Sequence, residues 1–229
     1  MQISPRYRAL YQRALTIRDN SQSLRIRQKP FRVCLGVTDP TVTEYVFVGL
    51  NPGGDDTREQ SLPTTELTMS DYVKEPPHYQ RRVGEVICAF AKKGNLSTED
   101  ALPLFGAVNF GFYHSRSAPA TLWLEVAECR EILLEELALP KLKVLILTGR
   151  LCPDLFYLTL WKVGTEVREL DTSACGLHDA DPKARIVATT LVTGSPAICV
   201  FTLHLSPYGV PLPPGFTAKL GAALFRMTA

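Results

Sequence analysis

Four apolar runs of strand length limit what this chain can fold into: 45–50, 104–112, 143–148 and 197–203. They are apolar along nearly their whole length and lack the alternation of a strand that shows one face to water. Strands of that kind lie in largely parallel sheets covered on both faces by helices. The stretches between them read as helices. Over 5–19, Tyr7, Leu10, Tyr11, Ala14 and Ile17 recur at helical spacing among arginines. Over 79–93 a second helix is expected, stopping at Gly94, and over 121–137 a third, with a stripe of Leu122, Val126, Ile132, Leu133 and Leu137. A helix from Arg150 to about Val163 and one over 216–227 complete the set. A candidate edge strand lies at 31–37 and a short strand at 186–190, while 53–78 reads as a long loop and 165–185 as irregular. The expected fold is a three-layer α/β/α arrangement around a central, mostly parallel sheet. Residues 31–229 form one domain, and residues 1–30 form a basic helix and arm packed on it.

Composition narrows the class. A chain of 229 residues with 45% hydrophobic content can bury one core. No apolar run approaches the ~18 residues of a membrane helix, and the basic N-terminus lacks the apolar segment and cleavage site of a signal peptide. A cytoplasmic monomer without a membrane partner is therefore expected. The six cysteines at 34, 88, 129, 152, 175 and 199 form no C-x-x-C pair, and the four histidines at 78, 114, 178 and 204 have no metal-ligand spacing. Neither a metal nor another cofactor is expected, and the cysteines read as free thiols serving as small hydrophobes. Net charge is only +2, yet residues 1–33 hold seven arginines and one lysine against Asp19. Two readings of that segment stand side by side: it meets a polyanion, or its cations pair with acids elsewhere on the protein.

Chemistry concentrates at two turns. Gly49-Leu50-Asn51-Pro52-Gly53-Gly54 follows the first run, and His204-Leu205-Ser206-Pro207-Tyr208-Gly209 follows the last. Ligands of open α/β sheets bind outside the carboxyl ends of the strands, so Asn51 and His204 would face one another if both strands are central and parallel. An amide that holds water and an imidazole that steadies a leaving group suit hydrolysis without a metal. Plainer roles are open to the same residues. Asn-Pro-Gly is a good turn anywhere, His204 suits a satisfied core position, and a strand-end Asn109 caps helices.

These turns resemble the motifs of the uracil-DNA glycosylase superfamily. Gly49-Leu50-Asn51-Pro52-Gly53 is similar to the first motif, in the Asn-bearing form of the mismatch-specific and single-strand-selective branch. His204-Leu205-Ser206-Pro207-Tyr208 is similar to the second, His-Pro-Ser-Pro and a wedge residue. Between them, Val108-Asn109-Phe110 stands where several members place a base-reading Asn, and 144–150 matches a strand-Gly-Arg step. The resemblance spans about 44–209. It implies that Asn51 orients the attacking water and that His204 hydrogen-bonds the departing base. It places Asn109 at base recognition beside Gly49, Leu50, Pro52, Gly53 and Phe110. Ser206 and Pro207 would lie on the DNA backbone, with Tyr208 at the wedge and Arg116 near flanking phosphates.

The chain departs from the motifs in places. Leu205 replaces the usual first Pro, Asp55 and Asp56 follow the first motif, and no base-stacking aromatic aligns, with Tyr72 and Tyr79 as candidates. The expected activity is hydrolysis of the N-glycosidic bond of a flipped-out uracil or modified pyrimidine in DNA, leaving an abasic site. A variant of this reading takes a hypermodified cytosine of phage DNA, with the 53–78 loop opening the pocket to it. The alternatives are a catalytically lapsed DNA-binding relative and a nucleoside hydrolase.

Overall fold

A computed structural model describes residues 4–29, 39–50, 68–74, 78–113, 122–205 and 211–228 of the chain. The expected edge strand at 31–37 lies outside them. So do Asn51, Pro52, Gly53, Arg116, Ser206, Pro207 and Tyr208.

The apolar runs form a six-stranded sheet of order β2-β1-β3-β6-β5-β4. Its parallel part comprises β1 (Tyr45–Gly49), β2 (Phe105–Asn109), β3 (Val144–Thr148) and β6 (Pro196–Thr202). β5 (Arg185–Thr190) runs antiparallel beside β6, and β4 (Arg168–Leu170) antiparallel beside β5. The expectation of a mostly parallel sheet holds, with an antiparallel margin.

Alternate residues of the strands feed two separate cores. Val46, Val48, Val108, Leu145 and Leu147 face α1 (Pro5–Asn20), α6 (Leu122–Leu137) and α7 (Cys152–Thr159). Tyr45, Phe47, Phe105, Ala107, Val144 and Ile146 face α4 (His78–Gly94) and α8 (Phe216–Thr228). Helices thus cover both faces, in three layers. The arrangement follows from handedness. The chain moves from β1 to its neighbour β2 through α4, then returns across β1 to β3 through α6. Right-handed crossovers in opposite directions put the two helices on opposite faces.

Several boundaries differ from the sequence-based expectation. Part of the stretch expected as loop is α3 (Met69–Lys74), and the expected irregular region at 165–185 contains β4. α5 (Thr98–Ala101) adds a short helix where none is expected; Ser97 caps it, its Oγ accepting the Asp100 N–H at 3.1 Å. α7 ends at Thr159 rather than near Val163, where the chain turns to form an isolated bridge between Trp161 and Leu191. The short α2 (Leu24–Arg27) closes the N-terminal segment. Among the described residues no helix is long and apolar enough to cross a membrane.

The basic N-terminus packs into the same helical layer as α6. Tyr7, Leu10, Tyr11, Ala14 and Ile26 are buried in the α6 core. Its cations turn to acids, three of them on α6: Arg6 meets Glu136 at 2.7 Å, Arg13 meets Glu135, and Lys29 meets Glu125 at 2.5 Å. Arg18 pairs with Asp19 at 2.8 Å. For these four the pairing reading prevails. Arg8 and Arg25 are exposed. Of the cysteines, 129, 152, 175 and 199 are buried as expected, burial pushing the Cys129 and Cys152 thiols up to about 12, but Cys88 is exposed on α4.

Candidate active site

Because β1, β2, β3 and β6 are parallel, their carboxyl ends share one edge of the sheet. The chain reverses its direction of winding between β1 and β3. Such a reversal splays the two adjacent connections to opposite faces and leaves a crevice between them. Among the described residues, Gly49, Leu50 and His204 of the turn motifs gather around that point.

His204 follows β6 by two residues and is half-buried. Its ring rests on Gly149, which follows β3. A Cβ at Gly149 would stand 3.2 Å from His204 Cδ2 and 3.8 Å from Leu50 Cδ1, and the backbone there has φ +120°. Glycine alone satisfies both the space and the dihedral. Gly149, which in the sequence only separates a strand from the helix expected at Arg150, is thus the floor on which His204 and Leu50 meet. Its N–H donates to Thr202 O at 3.1 Å, tying the β3 and β6 exits together.

On the other flank, Asn109 ends β2 in register with Gly49. A Cβ on Gly49 would lie 2.5 Å from Asn109 Oδ1, so the amide crosses directly over the Gly49 backbone. The pairing runs on beyond the strands. Phe110 N–H donates to Gly49 O at 3.0 Å, and Gly111 N–H to Leu50 O at 2.7 Å. The Phe110 ring itself is fully buried in the core shared with α1 and α6. Its ring packs the core, and its N–H meets the Gly49 carbonyl at the edge. The structure therefore brings Gly49, Leu50, Asn109 and His204 to one edge; Asn51 lies outside the described residues.

Helix α4 roofs the β6 side. The Tyr79 ring lies 5.7 Å from the His204 ring, tilted by 39°, and its hydroxyl is 3.4 Å from Thr148 Oγ1. Arg82 Nη1 donates to Leu205 O at 3.1 Å. Burial, and then the Arg82 charge, hold the proton affinity of His204 below that of an ordinary histidine. A neutral imidazole at neutral pH has one N–H to donate and one lone pair to accept. Leu205, where the resembled motif has proline, is fully buried in the α4 and α8 core.

Two buried carboxylates complete the edge. Asp181, in the segment before β5, is 4% exposed; its Oδ2 accepts from Thr202 Oγ1 at 3.1 Å and from Leu203 N–H at 3.2 Å. Glu125, on α6, is fully buried; its Oε1 accepts the Tyr113 N–H at 3.0 Å while Oε2 meets Lys29. The sequence motifs single out neither. Glu125 does carry a signal, since it falls three residues after Leu122 and four before Cys129, on the apolar stripe of its helix.

Comparison of the chain with protein-family models and with curated proteins finds no match.

Proposed function

We propose that the protein is a DNA glycosylase of the uracil-DNA glycosylase type, acting as a monomer on a nucleotide flipped out of DNA. The observation that carries this reading is the meeting of Leu50, Gly149 and His204 at the winding reversal of the sheet, with Asn109 laid across Gly49 beside it. A crevice there, flanked by an amide and a neutral imidazole, suits a planar base with polar edges.

In this reading the N-glycosidic bond breaks with its electron pair going to the base. Charge grows positive on the sugar and negative on the base. The His204 N–H donates to a base oxygen as that charge builds, a preorganised donor of the kind that stabilises other developing anions. The Asn109 amide reads the base edge. Asn51, placed by the first motif just past Leu50, holds the water that adds to the sugar carbon, and the water's proton leaves to solvent. An amide cannot accept that proton, so Asn51 orients the water and does not activate it. The Gly/Pro-rich turn at 52–53 brings backbone close to the substrate, while Ser206, Pro207 and Arg116 touch phosphates and Tyr208 fills the vacated stack. Uracil, mismatched thymine and hypermodified cytosine, the last as in phage DNA, are the candidate bases.

The pairing of Arg6, Arg13 and Lys29 with α6 acids weakens one support of DNA binding, a free basic arm, and keeps a nucleoside hydrolase as the second reading. Incubating the protein with duplexes and single strands carrying each base, and with the corresponding nucleosides, separates the two. Release from the polymer, scored as alkali-labile abasic sites, supports the glycosylase; release from free nucleosides alone supports the hydrolase. Asn51→Ala is expected to slow base release by more than about tenfold while DNA affinity is kept. His204→Ala is expected to slow release more than it weakens binding, read from single-turnover rates beside binding titrations.

A further inference from the structure

His204 belongs to a short span that is fixed at both ends by charged side chains from distant parts of the chain. On its N-terminal side, the Leu203 N–H donates to Asp181 Oδ2 at 3.2 Å, and the Thr202 hydroxyl donates to the same oxygen at 3.1 Å. On its C-terminal side, the Leu205 carbonyl accepts from Arg82 Nη1 at 3.1 Å. β6 ends at Thr202, so sheet hydrogen bonds no longer hold the backbone here.

The two anchors come from separate pieces of structure. Arg82 stands in the second turn of α4, in the connection from β1 to β2. Asp181 stands in the segment between β4 and β5, and is itself tightly seated. Its N–H donates to Leu177 O at 2.9 Å, its carbonyl accepts the Ala184 N–H at 3.0 Å, and its Oδ1 accepts the Lys183 N–H at 3.0 Å. Its carboxylate therefore has little freedom to follow the strand end; the strand end must come to it.

We propose that Arg82 and Asp181 are positioning residues that clamp the 203–205 span from both sides and so aim the His204 imidazole into the crevice. This rests on the glycosylase reading for its functional consequence, though not for its geometry. Peptide planes are rigid, so anchoring the Leu203 N–H and the Leu205 C=O fixes the planes at the two ends of the span and restricts the backbone between them. The side chain is then confined by Gly149 beneath it and Tyr79 beside it. A donor held in this way needs no reorganisation as charge develops on a leaving group. The clamp also gives the segment between β4 and β5 a part in the site, where the strand motifs alone suggest none.

The test is a set of double-mutant cycles on the full-length protein with whichever duplex of the base panel it cleaves. Asp181→Ala and Arg82→Ala are each expected to slow single-turnover release by about tenfold, with DNA affinity changed by less than about twofold. Asp181→Asn, which keeps an acceptor oxygen, and Arg82→Lys, which keeps a donor, are expected to recover most of the loss. In a His204→Ala background neither alanine substitution slows release further. Full activity in both alanine variants overturns the clamp, as do losses that add undiminished to that of His204→Ala. A readout independent of catalysis is the pair of His204 ring-proton resonances, which lie beside the Tyr79 ring. Asp181→Ala and Arg82→Ala are expected to shift them, and unshifted resonances overturn the clamp. If wild type cleaves nothing in the panel, the glycosylase reading falls and these resonances alone decide the clamp. If Asp181→Ala does not fold, Arg82→Ala, at a half-buried position, carries the same comparison.

Discussion

Beside β2, the chain leaving the sheet is tied to Glu125, a fully buried carboxylate that is met by the Lys29 ammonium as well as by the Tyr113 N–H. Beside β6, the chain leaving the sheet is tied to Asp181, a buried carboxylate held by the Thr202 hydroxyl and by the N–H groups of Leu203 and Lys183. The first joins three separate pieces of the chain, since Lys29 belongs to the N-terminal segment, Glu125 to α6 and Tyr113 to the turn after β2. The second acts over a few residues around one imidazole. Similar buried acids thus serve different ends. One neutralised by a cation is a strut of the fold. One satisfied by backbone and hydroxyl dipoles sets local geometry.

Removing each acid in turn puts this contrast at greatest risk. Glu125→Ala strands the Lys29 ammonium, whose side chain is 12% exposed, against the core. It is expected to destabilise the protein by about 3–5 kcal/mol, the cost of leaving one partner of a buried ion pair alone. Asp181→Ala leaves neutral donors unpaired and is expected to cost about 1–3 kcal/mol. Urea unfolding of both variants gives the ratio, and equal losses would erase the distinction.

The same two elements show how much of the molecule is legible in its residues. The strands at 45–49, 105–109, 144–148 and 196–202 announce themselves because burial on both faces demands unbroken apolar runs. β4 does not, because it is three residues long and both Arg168 and Glu169 are exposed, so edge pairing with β5 defines it rather than an apolar pattern. His204 and Asn109 stand out because polar residues at the ends of such strands are few. Asp181 is invisible in the sequence, since its partners Thr202 and Leu203 lie about twenty residues away and no local periodicity records a tertiary hydrogen bond. The part Gly149 plays is not legible either, because its φ and its approach to His204 exist only once β3 and β6 are paired.

The two sides also answer to pH with opposite sign, an effect of intermediate size. Burial is the largest influence on the Glu125 carboxyl and raises its pKa above the ordinary 4.5, although Lys29 and the Tyr113 N–H pull it back. Between 4.5 and that raised value the folded state holds more protons than the unfolded chain, so stability from this group is present in acid and is lost as pH rises. His204 is displaced downward from 6.5, so below 6.5 the unfolded chain takes up a proton that the folded state resists, and stability is lost as pH falls. Wild type is therefore expected to lose stability relative to His204→Ala when pH drops from about 7.5 to about 5.5, read as the change in urea midpoints. A constant difference would mean that His204 titrates normally in the folded protein.

The smallest effect belongs to cations that serve neither side. Arg6 and Arg13 already face Glu136 and Glu135 on α6. Replacing both with Gln is expected to change DNA affinity by less than about twofold and to leave its salt dependence alone. Removing a cation that neutralises a phosphate would instead lower the log–log salt slope by about 0.9. A shallower slope would return the N-terminal helix to the DNA interface.

In the proposed activity, the sheet edge that carries Leu50, Asn109, Gly149 and His204 receives one nucleobase and detaches it. Abasic-site formation, scored by alkali cleavage on duplex and single-stranded DNA carrying uracil, mismatched thymine or hypermodified cytosine, decides this. Wild type is expected to convert at least one of these bases, and Asn51→Ala and His204→Ala are both expected to slow that conversion while still binding the same DNA. A wild type that binds every strand and releases no base from any of them would refute the assignment.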